Sequence, residues 1–176
     1  IGLEMDAHYF TAYSYKKLLD GLPDARLIDS ERLVNWARVV KSDAEIDLMK
    51  KASVITEIGM KKAFECIKPG VRQNDAVSEI SGTLIKGTND FGGEYSSIVP
   101  LLPTGKGTSA SHLTWSDSKF VEGEATIIEL SGVYKRYHCP MARTVLLGKP
   151  DQKKIDTMKK TIEALHAGID VTKPGN

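Results

Sequence analysis

Residues 94–115 read EYSSIVPLLPTGKGTSASHLTW and residues 125–148 read ATIIELSGVYKRYHCPMARTVLLG. The second string opens on an apolar run, Ala125 to Ile128, that ends on a charge, Glu129. A return through Val133 to Tyr137 then delivers His138 and Cys139. The first string is a Gly/Ser/Thr-rich loop that carries His112. A carboxylate, two imidazoles and a thiol at strand ends beside a permissive loop are the ingredients of an active site. The pattern predicts strands at about 95–102, 125–131, 133–138 and 143–147, with 116–124 as a polar turn.

Upstream, Ser42 and Glu45 have the spacing of a capping box. The helix it opens runs to about Ile67, with Ile46, Met49, Ala52, Thr56, Met60, Ala63, Phe64 and Ile67 as its stripe. Lys68-Pro69-Gly70 stops it. A second helix, capped by Asn74 or Asp75, reaches Gly87. Beyond Gly148-Lys149-Pro150, Asp151 can cap a helix with Ile155, Met158, Ile162, Leu165 and Ile169 on one side. Before Lys41 the signals are strand, helix, strand, helix: 1–5, 9–22, 25–28 and 30–40. About 40 residues of that kind cannot close a core of their own, so 1–40 reads as the end of a larger N-terminal domain.

Ile46-Asp-Leu-Met-Lys-Lys51 opens one long helix and Ile155-Asp-Thr-Met-Lys-Lys160 opens another, and each closes on Lys-Pro-Gly. Self-similarity of this kind predicts a duplicated helix-then-sheet unit. The second copy would then need strands beyond Asn176.

Composition narrows the classes. With 41% hydrophobic and 27% charged residues the 176-residue chain reads as a globular domain. A net charge of +1 gives no electrostatic reason to expect nucleic acid or a membrane surface. Two cysteines form no disulfide framework, which points to a reducing, cytoplasmic setting.

The Lys-Ser-x-x-Glu-Ile helix start at 41–46, the Ile-Lys-Pro-Gly stop at 67–70, the Gly-Thr loop with His112, the acid-ended strand and Tyr134-x-x-Tyr137-x5-Arg143-Thr144 together resemble the creatinase/prolidase/methionine-aminopeptidase family. The resemblance implies an α+β pita-bread fold, with 41–176 as the first half of its catalytic domain. Within the family, IVPLLPTGKG at 98–107, HLTW at 112–115 and YKRYHCP at 134–140 look most like the ectoine-hydrolase branch. That implies a small-molecule substrate, a cyclic amidine opened by water, with no nucleic-acid or membrane partner. By analogy it also implies a homodimer.

Metal-dependent members of the family use two aspartates from this sheet. The resemblance places the first on Glu129 and the second on Pro140, which has no side-chain donor atom. It therefore implies metal-free chemistry and no cofactor. Glu129, beside apolar Ile127 and Ile128, would be the general base, and His112 the proton shuttle. His138 is the third catalytic candidate, with an interior hydrogen-bonded role left open. Tyr95 and Trp115 could stack on a cationic ring, Tyr137 beside His138 is a further substrate-binding candidate, and Arg143 could hold a carboxylate; packing roles remain open for each. Cys139 is a nucleophile or a small buried thiol. Two rival readings remain: an Xaa-Pro metallopeptidase with a dinuclear Mn or Co centre, and a pita-bread module that binds without turnover.

Overall fold

The computed structural model describes residues 1–176, which divide into two compact units, Ile1–Ile46 and Asp47–Asn176. The first holds β1 (Gly2–Leu3), α1 (Ala12–Gly21), β2 (Ile28–Asp29) and α2 (Leu33–Val39). The two strands pair in parallel, Gly2 with Ile28 and Leu3 with Asp29. Thr11 caps α1, its hydroxyl accepting from Ser14 N–H at 3.2 Å. No side chain of this unit is buried, as expected for so short a segment.

The second unit is built on α3 (Asp43–Cys66), α4 (Gln73–Lys86) and a hairpin of β3 (Ala125–Tyr134) and β4 (Tyr137–Leu146). The capping box forms as read: Ser42 N–H donates to Glu45 Oε2 at 2.8 Å, and Glu45 N–H donates to Ser42 Oγ at 3.4 Å. α3 buries Ala52, Ile55, Thr56, Gly59, Met60 and Ala63, close to the expected stripe. α4 starts one residue before the expected caps. Arg72 is its N-cap without a side-chain bond, while Gln73 is buried and accepts from Ser116 N–H at 2.8 Å. α5 (Gln152–Val171) is capped by Asp151, which accepts from Lys154 N–H at 2.8 Å and is held below the usual aspartate range chiefly by that bond. It runs 20 residues against 24 for α3, and its apolar stripe of Met158, Ile162, Leu165 and Ile169 is exposed. None of these helices is long and apolar enough to cross a membrane.

Three sequence expectations need correction. First, 125–147 holds two strands, not three. The hairpin turns at Lys135 and Arg136, whose φ values of 49° and 67° are left-handed as a two-residue primed turn demands. Gly132 does not break β3, because α3 lies directly over it. Pro140 does not break β4 because of the ladder's alternation. Glu129 exchanges both backbone bonds with Leu101, at 2.8 and 3.1 Å, so the odd residues of β3 bond away from β4. Pro140 faces one of those, Ser131, where β4 needs no N–H toward β3.

Second, no strand forms at 95–102. Only single bridges occur, Leu101 to Glu129 and Thr104 to Thr126. Third, 116–124 is not merely a polar turn. Phe120 N–H donates to Val71 O at 2.9 Å and its carbonyl accepts from Gly70 N–H at 2.8 Å. The pairing seats Phe120, 1% exposed, in a core with Ile55, Ile80, Leu102 and Ile128.

Even residues of β3 face the helices. Thr56 Oγ1, in the middle of α3, accepts from Gly132 N–H at 2.8 Å and lies 2.6 Å from Cys139 O and 3.0 Å from Ala52 O. One hydroxyl thus ties α3 to both strands. A Thr56→Val substitution keeps the shape and strands a buried donor. It is expected to cost about 1–3 kcal/mol in chemical denaturation.

Candidate functional site

Strand alternation sorts the candidates. Register pairs Glu129 with Ala142, Ser131 with Pro140 and Val133 with His138. Ile127, Glu129 and Ser131 therefore share one face of the hairpin with His138, Pro140, Ala142 and Thr144. Cys139 and Arg143 belong to the opposite face, Arg143 opposite buried Ile128.

Glu129 sits between two cavities. One, of about 240 Å³, is lined by Ser96, Ser97, Ile98, Glu129, Ser131, His138 and Pro140. The other, of about 260 Å³, is lined by Leu101, Pro103, Thr108, Ser111, His112, Ile127 and Glu129. The carboxylate is 34% exposed, and its backbone is fixed on both sides by Leu101. His112 Nε2 stands 3.9 Å from Glu129 Oε2. The loop before it makes a short 3-10 turn, Gly105–Ser109, and His112 itself has φ +58°. A non-glycine residue in that region is uncommon and stores strain, a feature that clusters at functional sites.

The structure thus brings together Glu129, His112 and His138, with Glu129 in the middle. It does not bring Arg143 to them: the side chain is exposed on the other face, and Nη1 donates to Ala142 O at 2.7 Å. Tyr95 is exposed, and the Arg136 guanidinium lies 4.2 Å from its ring centroid, so the chain's own cation already covers that face. Trp115 is half-buried against the hydrophobic core. Tyr137 flanks the hairpin turn, paired with Tyr134. Ser96, Ser97 and Ser131 line the first cavity and were not singled out by sequence reasoning.

His138 is fully engaged. Its Nδ1 lies 3.0 Å from Arg136 O, and Ser97 N–H donates to its Nε2 at 3.1 Å. A carbonyl only accepts and an amide only donates, so these two partners match the tautomer with its proton on Nδ1.

A dinuclear centre needs several hard oxygen ligands around two ions. Around Glu129 this chain offers one carboxylate, serine hydroxyls, the His112 imidazole and a second imidazole, His138, with both nitrogens in use, and Pro140 stands opposite Ser131 with no donor atom. No three His, Cys, Asp or Glu side chains are grouped to hold an ion. By themselves these residues do not supply the ligands of a dinuclear site.

Two helices packed on one face of a long antiparallel hairpin, with an acid and a histidine on the other, form a pita-bread architecture. The prolidase of Pyrococcus horikoshii superposes with a TM-score of 0.84 at 20% identity, over 99% of this chain and 48% of that one. The chain belongs to metallopeptidase family M24, whose model matches residues 47–176. Among characterised and uncharacterised relatives, the ectoine hydrolase of Halomonas elongata is 46% identical over 181 residues, covering 100% of this chain and 45% of that protein. An uncharacterised hydrolase/peptidase of Sinorhizobium fredii is 39% identical over 99% of this chain and 45% of its own length. The chain spans about half the length of the curated relatives it matches.

Proposed function

We infer that this chain carries the Glu129–His112 pair of a hydrolase that opens the cyclic amidine of ectoine without a metal. The observation that carries the reading is the placement of Glu129 within reach of His112 while Pro140, with no donor, stands across the same cavity. The 46% identity to an ectoine hydrolase supports the substrate class.

In this reading water attacks the amidinium carbon and gives its proton to Glu129. The ring carbon–nitrogen bond breaks as His112 Nε2 delivers a proton to the departing nitrogen, and the adduct's remaining hydroxyl proton passes to the released amine, leaving an amide carbonyl and an ammonium. The product is N-acetyl-diaminobutyrate, and the proton held by Glu129 returns to His112 across the 3.9 Å gap. A general acid–base pair of this kind is worth about 10²–10⁴ in rate for each group.

The Xaa-Pro metallopeptidase reading is favoured by the family match, by the fold neighbours and by Xaa-Pro dipeptidases 23% identical to this chain, against 46% for the ectoine hydrolase. The test is a substrate panel of ectoine, creatine and Xaa-Pro dipeptides on the full-length protein, with metal analysis and EDTA treatment. Ring opening of ectoine that survives EDTA and metal depletion is expected. Dipeptide cleavage abolished by EDTA would replace this reading with the peptidase one. Binding of ectoine without turnover would favour a non-catalytic module.

A further inference from the structure

A second polar cluster lies at the closed end of the hairpin, and the chemistry above leaves it unused. Lys135 and Arg136, both in the left-handed region, turn their N–H groups toward Glu94. Lys135 N–H donates to Oε1 and Arg136 N–H to Oε2, each at 3.1 Å. Consecutive amides in such a turn form a concave anion site, and here a carboxylate of the same chain fills it. The Glu94 N–H in turn donates to Val133 O at 3.1 Å. Arg136 closes over Tyr95 and donates Nη1 to Tyr95 O at 2.8 Å.

Two residues further on, His138 takes hold of the same segment. It spans from Arg136 O on one nitrogen to Ser97 on the other, where Ser97 Oγ also lies 3.1 Å from Nε2. Residues 94–97 are thereby pinned at both ends to the turn. Ser96 and Ser97 then form one wall of the cavity whose other wall is Glu129, Ser131 and Pro140. A proton carrier needs a lone pair or an N–H aimed at the reactant, and the bonds to Ser97 and Arg136 occupy both.

We propose that Glu94 and His138 are positioning residues, a clamp that holds residues 94–97 as the wall of the Glu129 cavity, with His138 a bracket of fixed tautomer and not a carrier of the reaction's proton. The activity readout rests on the ectoine reading above. The spectroscopic readout does not.

Ring ¹H–¹⁵N correlations of the full-length protein are expected to show His138 protonated on Nδ1 and bare on Nε2. Hydrogen exchange at Ser97, Lys135 and Arg136 should rise about tenfold or more in Glu94→Ala, as the pinned backbone opens. Where that variant fails to fold, Glu94→Gln, which keeps one carbonyl acceptor, is expected to show a smaller rise at the same amides. With ectoine, His138→Ala should raise KM about tenfold and leave kcat within about threefold, the mark of lost positioning in binding. His138→Gln, whose Oε1 can accept from Ser97 N–H, should recover most of that loss. The double variant Glu94→Ala/His138→Ala should be little worse than either single one, because both release the same segment. An Nε2–H tautomer would overturn the clamp. So would a His138→Gln enzyme that loses kcat about 100-fold or more as His138→Ala does, since Gln cannot carry a proton. If the wild-type protein leaves ectoine untouched, the ring tautomer and the exchange rates still decide the clamp, and only the substrate reading falls.

Discussion

Glu129→Gln in the full-length protein is expected to lower kcat for ectoine ring opening about 10³-fold, near 4 kcal/mol of activation free energy. Gln matches Glu in size and keeps a carbonyl oxygen, but it cannot take a proton from water. The fold should be untouched. The Glu129 backbone is held by Leu101 through two main-chain bonds, and its side chain is partly exposed at the junction of two cavities. Unchanged thermal unfolding with lost turnover, followed by NMR of the acetylated product, is the expected pair of results. His112→Asn should cost less, about 10–100-fold, because water can reach the leaving nitrogen where His112 stands 75% exposed. Full activity in Glu129→Gln would remove Glu129 as the base. Activity restored to that variant by excess manganese or cobalt would instead make residue 129 a metal ligand, because added ions can offset a weakened site by mass action.

The parts of the fold legible in the sequence were those fixed locally. The capping box at Ser42 and the three-four spacing of α3 need only neighbours on one helix; the box forms as read, and the stripe forms with Ile55 buried in addition and Ile46 and Phe64 exposed. The hairpin was misdivided because its punctuation marks are tertiary. Glycine and proline ordinarily end strands, yet Gly132 stays in β3 to let α3 approach, and Pro140 stays in β4 because its partner bonds elsewhere. The true turn, Lys135-Arg136, carries neither the Asn nor the Gly that would announce a primed turn.

That single error governs what was missed at the site. Without the turn there is no register, and without register no parity. Glu129 and His112 could be singled out as candidates because an acid at the end of an apolar run and a histidine in a glycine-rich loop signal themselves. The face of Arg143 could not be found that way. Once the turn is placed, counting back from it puts Arg143 opposite Ile128 and His138 on the Glu129 side. Phe120 was hidden for a similar reason: its pairing partners, Gly70 and Val71, are nearly fifty residues away in the chain.

Gly132→Ala is expected to cost about 3 kcal/mol or more, the upper range of overpacking. A Cβ there would lie 2.4 Å from Ala52 O, 2.5 Å from Thr56 N and 2.8 Å from Ile55 Cβ. All three belong to one turn of α3, and none can rotate aside. Relief requires α3 to move off the hairpin, which opens the core around Ile55 and Ile128, both fully buried, and breaks the bond from Gly132 N–H to Thr56. Two other glycines give the scale. At Gly59 the added carbon meets Leu84 Cδ2 at 2.4 Å, the end of a side chain that can change rotamer, so Gly59→Ala should cost about 1–2 kcal/mol. At Gly70 nothing lies within 4 Å, and only the φ of +86° opposes alanine, which should cost about 1 kcal/mol. Urea unfolding of the three variants in the full-length protein should rank them 132, 59, 70 in loss of stability. A Gly132→Ala protein within about 0.5 kcal/mol of wild type, inside the range of an ordinary surface substitution, would mean that α3 and the hairpin are not in the contact described.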